Sequence, residues 1–392
     1  MDLASHTAKP LVKGGYWPRY LPTSGKSGHL VFIRNGRLFG VAFDPARLEI
    51  SGTPAPLVED VAASPSINNG GGQFAFSETG TFVYLSGSAT STTYPIQWLE
   101  SGGELKTLVA QPNAYTAPRL SPDGARLAYN VASSSGPDVW VYDIGRDTPT
   151  QLTFNGRAVF ELAWAPDSKH LVYGDSTALW WASADGAGQP VKLLDGVVNP
   201  RPGSFAPRGR LAFSPASTAG GLPDVWTLPL DLSDPDRPKP GKPEPFLTEQ
   251  GIAEVDGAFS PDGKFLAYAS SESGREEVFV RVFPGPGGRW KVSAAGGKFP
   301  AWSRTRELFF LGGDDRIMVA SYAIQGDAFS AARPRVWSPT PIRRDGVRQS
   351  FDISADGKRA VVFPRPAPEQ SGGNLHATFL LNFFDEVRRR IP

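Results

Sequence analysis

Residues able to do chemistry are few in this sequence, and they are scattered. The four histidines, His6, His29, His170 and His376, fall far apart with no His-x-x-x-His pair, so local spacing supplies no metal site. His29 and His170 open the second strand of two repeats, which favours a structural role. Cysteine is absent, which removes thiolate nucleophiles, disulfides and Cys-based metal ligation together. A Gly-Lys-Ser run at Gly25 to Ser27 would close a phosphate-binding loop only with a glycine five residues earlier. Tyr20 stands there, and a hairpin turn is expected instead. No Gly-x-Ser-x-Gly occurs, so the nucleophile elbow of an α/β-hydrolase is missing.

The remaining candidates are best read through an internal repeat. A pattern of large apolar, Ser/Ala, Pro, Asp, Gly, two variable residues and an apolar run recurs along the chain. Clear copies are LSPDGARLAY from Leu120, FSPDGKFLAY from Phe259 and ISADGKRAVVF from Ile353; looser ones begin at Phe76, Trp164, Phe205, Trp302 and Tyr20. Asp123, Asp167, Asp262 and Asp356 sit at the turn position, where turn chemistry explains them without catalysis or metal. Trp140, Trp164, Trp180, Trp226 and Trp302 fall at equivalent strand positions, as core residues do. One channel-facing position is Ala75, Ala163, Ser204, Ala258 and Ala301 but becomes Arg19, Arg119 and Asp352 in three copies. These three charges are the candidate ligand-binding residues, and the competing reading is a paired cluster tying strands together.

Each copy reads as a hairpin followed by a third and a fourth apolar run, such as DVWVYDI from Asp138 and VKLLD from Val191. Four antiparallel strands make one propeller blade. The fold class expected is therefore all-β: a single closed β-propeller of eight four-stranded blades, or seven if the copy at Tyr20 is a capping hairpin. The last copy lacks a fourth strand, so residues 9–13, KPLVK, are expected to close the ring beside Phe379 to Phe383 and to cover two sheet edges. The whole of 1–392 is then one domain, with a Pro-rich loop at 231–245 inside a blade, further loops from Ser64 and from Pro364, and a tail at 385–392.

Composition fits this picture. The 43 Gly and 37 Pro punctuate many short strands. A formal charge of +1 supplies no global field for nucleic acid or an anionic membrane. No apolar run reaches the eighteen residues of a membrane helix, and MDLASHTAKP lacks the layout of a secretion signal. No cofactor and no metal is expected.

The SPDG hairpins, with DVWVYD, QLTF, EVFVRVFPGPGGRWKVSAAGG, FDISADGKRAVVF and the ending LNFFDEVRRRIP, resemble the TolB-type, WD40-like propeller repeats at the C-terminal end of bacterial membrane-anchored serine/threonine protein kinases. The resemblance implies a sensing or binding module placed outside the cytoplasm. The chain has no His-Arg-Asp loop, Asp-Phe-Gly or Gly-rich nucleotide loop, so no kinase activity carries over to any residue. The function expected is a non-catalytic, monomeric module binding a protein, peptide or glycan. The alternative is a propeller enzyme, a hydrolase or lyase with a site assembled from several blades, or the gating domain of a peptidase.

Overall fold

A computed structural model describes residues 10–23, 28–34, 36–64, 71–86, 93–132, 136–154, 161–216, 222–249, 251–285, 287–346, 348–365 and 376–391. The Gly-Lys-Ser run, His6, Lys9 and most of the loops from Ser64 and Pro364 lie outside these residues. The chain falls into two compact units, one of residues 1–92 with 366–392 and one of residues 93–365.

Among the described residues the larger unit holds six sheets. The first runs Tyr115–Leu120, Arg126–Val131, Asp138–Asp143, Thr148–Gln151, and the second Leu162–Trp164, His170–Gly174, Ala178–Ser183, Val191–Asp195. The third is Arg201–Ala206, Arg210–Ser214, Val225–Asp231 with Glu244–Leu247, and the fourth is Glu254–Phe259, Phe265–Ser270, Glu277–Val282, Arg289–Lys291. The fifth is Gly297–Trp302, Glu307–Gly312, Ile317–Gln325, Ala328–Ala331. The sixth joins Phe351–Ile353 and Arg359–Val362 to Tyr94–Glu100 and Leu105–Asn113, from opposite ends of the unit. Inner strands touch in cyclic order: first to second, and so on to the sixth, which touches the first.

The turns between inner and second strands form for the local reason read in the sequence. Ser121 and Ser260 donate their hydroxyls to Asp123 and Asp262, the aspartates accept backbone N–H groups of Ala125 and Lys264, and Gly124 and Gly263 take φ of 73° and 71°. Such a φ is strained for any residue with a Cβ. Between the sheets lie the large apolar residues: Trp164, Phe259 and Ile353 are buried, and Leu120, Phe205 and Trp302 half-buried. The stretch between the third strand and Glu244–Leu247 carries a short pairing of Lys239–Pro240 with Leu230 and Asp231.

The smaller unit has one sheet of Tyr16–Leu21, Gly28–Arg34, Arg37–Asp44 and Glu49–Val58, and another of Phe74–Phe76, Phe82–Ser86 and His376–Leu380. Its helix α1, Phe383–Arg390, buries Phe383 and Val387 against Phe82, Leu38 and Val31. The Phe82 and Phe383 rings stack at 4.5 Å. Most of the expected tail is therefore helical, with Glu386 paired to Arg389 and Arg390 along one face.

Six of the eight hairpins belong to the larger unit and two, at Tyr20 and Phe76, to the smaller. Two expectations are corrected by these pairings. Residues 10–13 form no strand, and His376–Leu380 pairs with Phe82–Ser86 instead of with 9–13. The third-strand segments of two copies are in effect exchanged. His376–Leu380 completes the Phe76 hairpin, whereas Tyr94–Glu100 completes the Ile353 hairpin. Packing holds the Tyr94–Glu100 pairing, since Tyr94, Ile96 and Trp98 bury one face among Leu127, Tyr129, Val361 and Phe363. Tyr20 is correspondingly 43% exposed instead of packed between sheets.

Candidate functional site

The six inner strands of the larger unit enclose a cavity of about 470 Å3. All six turns that follow these strands contribute to its lining, Pro122, Pro166, Pro207, Pro261, Arg304 and Ser354 among them, so it is a funnel whose mouth is the turn face. Its walls include Ala163, Ser204, Ala258, Ala301, Arg119 and Asp352, the very position read in the sequence as channel-facing. Small side chains there are what leaves the space open.

The polar members of this position share one role. Arg119 donates from Nε to the Leu162 carbonyl at 2.8 Å, Ser204 Oγ accepts the Phe259 N–H at 2.7 Å, and Asp352 Oδ2 accepts the Leu120 N–H at 2.8 Å. Each reaches the next inner strand round the circle. Two indoles answer from the bulky position: Trp164 donates to the Arg119 carbonyl and Trp302 to that of Ala258. A net of about 1 kcal/mol for each bond makes these seams a large share of a small stability. Arg119 and Asp352 thus lie in one cavity and act as ties between sheets as well. Arg19 does not join them; it is an exposed residue of the smaller unit, its guanidinium 4.5 Å over the Trp17 ring.

Towards the starts of the inner strands sit groups that sequence reasoning missed. Glu161 is buried; its Oε2 lies 3.4 Å from the Arg119 guanidinium and its Oε1 accepts the Gln349 N–H at 2.9 Å. Burial pushes the Glu161 carboxyl up, against the pull of Arg119, the Gln349 N–H, Arg201 and Arg348. Asp256 lines the cavity and accepts the Phe299 N–H. Burial, then the charge of Glu161, pushes its carboxyl up to about 7, with Lys298, the Phe299 N–H and Arg201 opposing. Burial also raises Asp352, with Arg119 and the backbone donors of Leu120 and Ile353 opposing.

Asp256 owes its position to a recurring irregularity. The inner strands slip register between Thr116 and Arg119, Val255 and Ala258, and Lys298 and Ala301, with φ of 53° at Ala117, 60° at Asp256 and 55° at Phe299. Bulges of this kind re-aim a side chain, and in a non-glycine residue the left-handed backbone costs on the order of 1–3 kcal/mol. Only Asp256 among the three is a residue type suited to that conformation. The sole signal in the sequence is the Asp-Gly pair at Asp256 and Gly257, which reads as a turn.

His29 and His170, in contrast, are engaged by the protein. His170 bonds Asp167 at 2.7 Å and stacks on Trp181, while His29 bonds Thr23 and the Ile391 carbonyl.

No family model matches the chain. A curated relative, the Tol-Pal system protein TolB of Anaeromyxobacter dehalogenans, is 27% identical over 105 residues, 26% of this chain and 24% of that protein. The chain therefore spans about a quarter of the length of that relative. A TolB structure from Agrobacterium tumefaciens superposes with a TM-score of 0.51 at 17% identity, covering 70% of this chain and 99% of the other. The chain has a TolB-type β-propeller fold. TolB of Acinetobacter baumannii is similar over 89% of this chain and 79% of its own, at 14% identity and a TM-score of 0.46. The TolB-type fold accounts for the four-stranded sheets and SPDG turns, and among the described residues no helix is long and apolar enough to cross a membrane.

Proposed function

We propose that this chain is a non-catalytic binding module and that the funnel of the larger unit is where it takes a ligand, a peptide segment of a protein partner. The observation carrying the reading is the division of labour among the funnel's side chains. Arg119, Ser204 and Asp352 spend their hydrogen bonds on neighbouring strands, so the space is held open by rigid walls, while the exposed prolines of its rim, Pro166, Pro207 and Pro261, are left to meet a partner. Preorganised concave surfaces of that composition bind with little ordering cost. Residues 1–392 act as one module in this reading, as a single copy, in the sensing part of a signalling protein outside the cytoplasm.

The test is a peptide-display selection on the full chain, repeated on variants in which Ala258→Trp or Ala301→Trp fills the funnel. Peptides selected on the natural chain should lose at least about tenfold in affinity on the filled variants, about 1.4 kcal/mol. Equal binding to natural and filled chains overturns the site. Turnover of a peptide or glycoside substrate that vanishes with Asp256→Asn overturns the non-catalytic reading.

A further inference from the structure

The larger unit has a second cavity, of about 620 Å3, that shares no lining residue with the funnel. It lies where Leu194 and Val197 face Phe213 and Trp226, and two of its walls, Val198 and Leu222, are exposed to 41% and 46%. That volume falls in the range of small-molecule sites, about 300–1,000 Å3. Apolar surface left open in a concavity is more informative than the same residues scattered singly.

The polar part of the lining is acidic. Asp224 and Glu249 both line the cavity, and Glu254 stands beside them, its N–H bonded to the Pro223 carbonyl at 2.8 Å. The Glu254 side chain is fully buried, and no side chain hydrogen-bonds either carboxyl oxygen among the described residues. Burial, then the charge of Glu249, pushes the Glu254 carboxyl up to about 7; Asp224 adds to this, and the Glu249 N–H and Arg289 counter it in part. Arg289 is committed elsewhere, to an ion pair with Glu272, a bond to the Tyr268 hydroxyl and the face of Phe279. Burial raises the Asp224 carboxyl as well. Asp224 and Glu249 line the cavity, Glu254 is buried nearby, and none of the three has an ion-pair partner among the described residues.

Uncompensated negative charge at a half-buried apolar surface is costly until a cation arrives. Among the described residues no group of three His, Asp or Glu is placed to hold a metal ion, so the complement is an organic cation. Trp226, an aromatic of the kind ammonium groups prefer, lines the cavity. We propose that this pocket binds a small organic amine with an apolar body, its ammonium set against Asp224 and Glu249 and its hydrocarbon against Leu222, Val198 and Trp226. Asp224 and Glu249 supply charge selection, and the apolar walls supply the contact area.

The experiment titrates the full chain with phenethylamine by ligand-observed NMR, with phenethyl alcohol and hydrocinnamate as neutral and anionic matches. The amine should bind at least about tenfold more tightly than the alcohol, equivalent to about 1.4 kcal/mol, and hydrocinnamate should not bind. The double variant Asp224→Asn with Glu249→Gln should bring the amine down to the level of the alcohol and leave the alcohol unchanged. Ala301→Trp, which fills the funnel, should leave amine binding intact, so this site and the funnel stand or fall separately. Equal binding of amine and alcohol, no binding of the amine, or amine binding indifferent to the double variant overturns the assignment; so does loss of amine binding in Ala301→Trp.

Discussion

Replacing Asp256 by Asn should change how stability depends on pH more than it changes stability at any one pH. The Asp256 carboxyl is pushed from 3.8 up to about 7 by burial and by Glu161. A group whose folded value is raised binds its proton more tightly in the folded state, so folding is fully favoured below about pH 4 and loses that contribution as pH rises to 7. Each pH unit of displacement is worth about 1.4 kcal/mol, which places the loss on the order of 3 kcal/mol after allowing for water in the cavity. Asn keeps an oxygen for the Phe299 N–H and does not titrate. The stability of Asp256→Asn minus that of the natural chain should therefore climb by about 2–4 kcal/mol between pH 4 and 7 and then level off. Urea unfolding across this range measures it, and most other titrating groups cancel in the difference. A difference that stays flat from pH 4 to 8 would refute the placement of a buried, destabilised carboxyl beside Glu161.

Further outcomes follow from the seams and turns. Trp302→Phe keeps the ring but leaves the Ala258 carbonyl without its donor, so urea unfolding should show a loss of about 1–2 kcal/mol; an unchanged midpoint contradicts the tie. Gly174→Ala would set a Cβ 1.8 Å from the Pro200 carbonyl oxygen and should prevent soluble expression or cost more than about 3 kcal/mol, whereas Gly124→Ala, strained only by its φ of 73° in open space, should cost about 1 kcal/mol. Glu277 is fully buried; burial opposes its ionisation, but bonds from Ser293, Arg275 and Gly296 hold its carboxyl below the usual range. Its contribution is present above the ordinary carboxylate range and is lost as pH falls through the lowered value. Glu277→Gln should thus cost about 1–3 kcal/mol at neutral pH, with the gap to the natural chain closing in acid; a gap constant down to pH 3 argues against the ionised bonding. Val361→Asp buries a charge where Arg359–Val362 meets Tyr94–Glu100 and should abolish cooperative unfolding of the larger unit, seen by calorimetry.

What was legible in the sequence is what local chemistry decides. The Ser-Pro-Asp-Gly turns form from contacts within five residues, so Asp123, Asp262 and Asp356 were readable as turn residues. The third apolar run at Asp138 was readable from the sequence, and the strand there begins at that residue. Partner choice was not. Tyr94–Glu100 and His376–Leu380 are both short apolar strands with long connections on one side, and nothing local says which hairpin each completes. The candidate site was half visible for the same reason: Arg119 and Asp352 come together because their copies share the larger unit, and Arg19 does not because its copy belongs to the smaller one. Asp256 went unseen because a bulge, set by Ala in one strand, Asp in another and Phe in a third, leaves no common residue type to recognise.

The funnel as the seat of recognition is tested most directly by hydrogen exchange on the full chain, with and without a peptide selected on it. Protection should concentrate in the turns at 121–126, 260–265 and 354–359 and in the inner strands that lead into them. Protection confined to the outer strands Leu105–Asn113 and Thr148–Gln151, with those turns exchanging as freely as before, would contradict it.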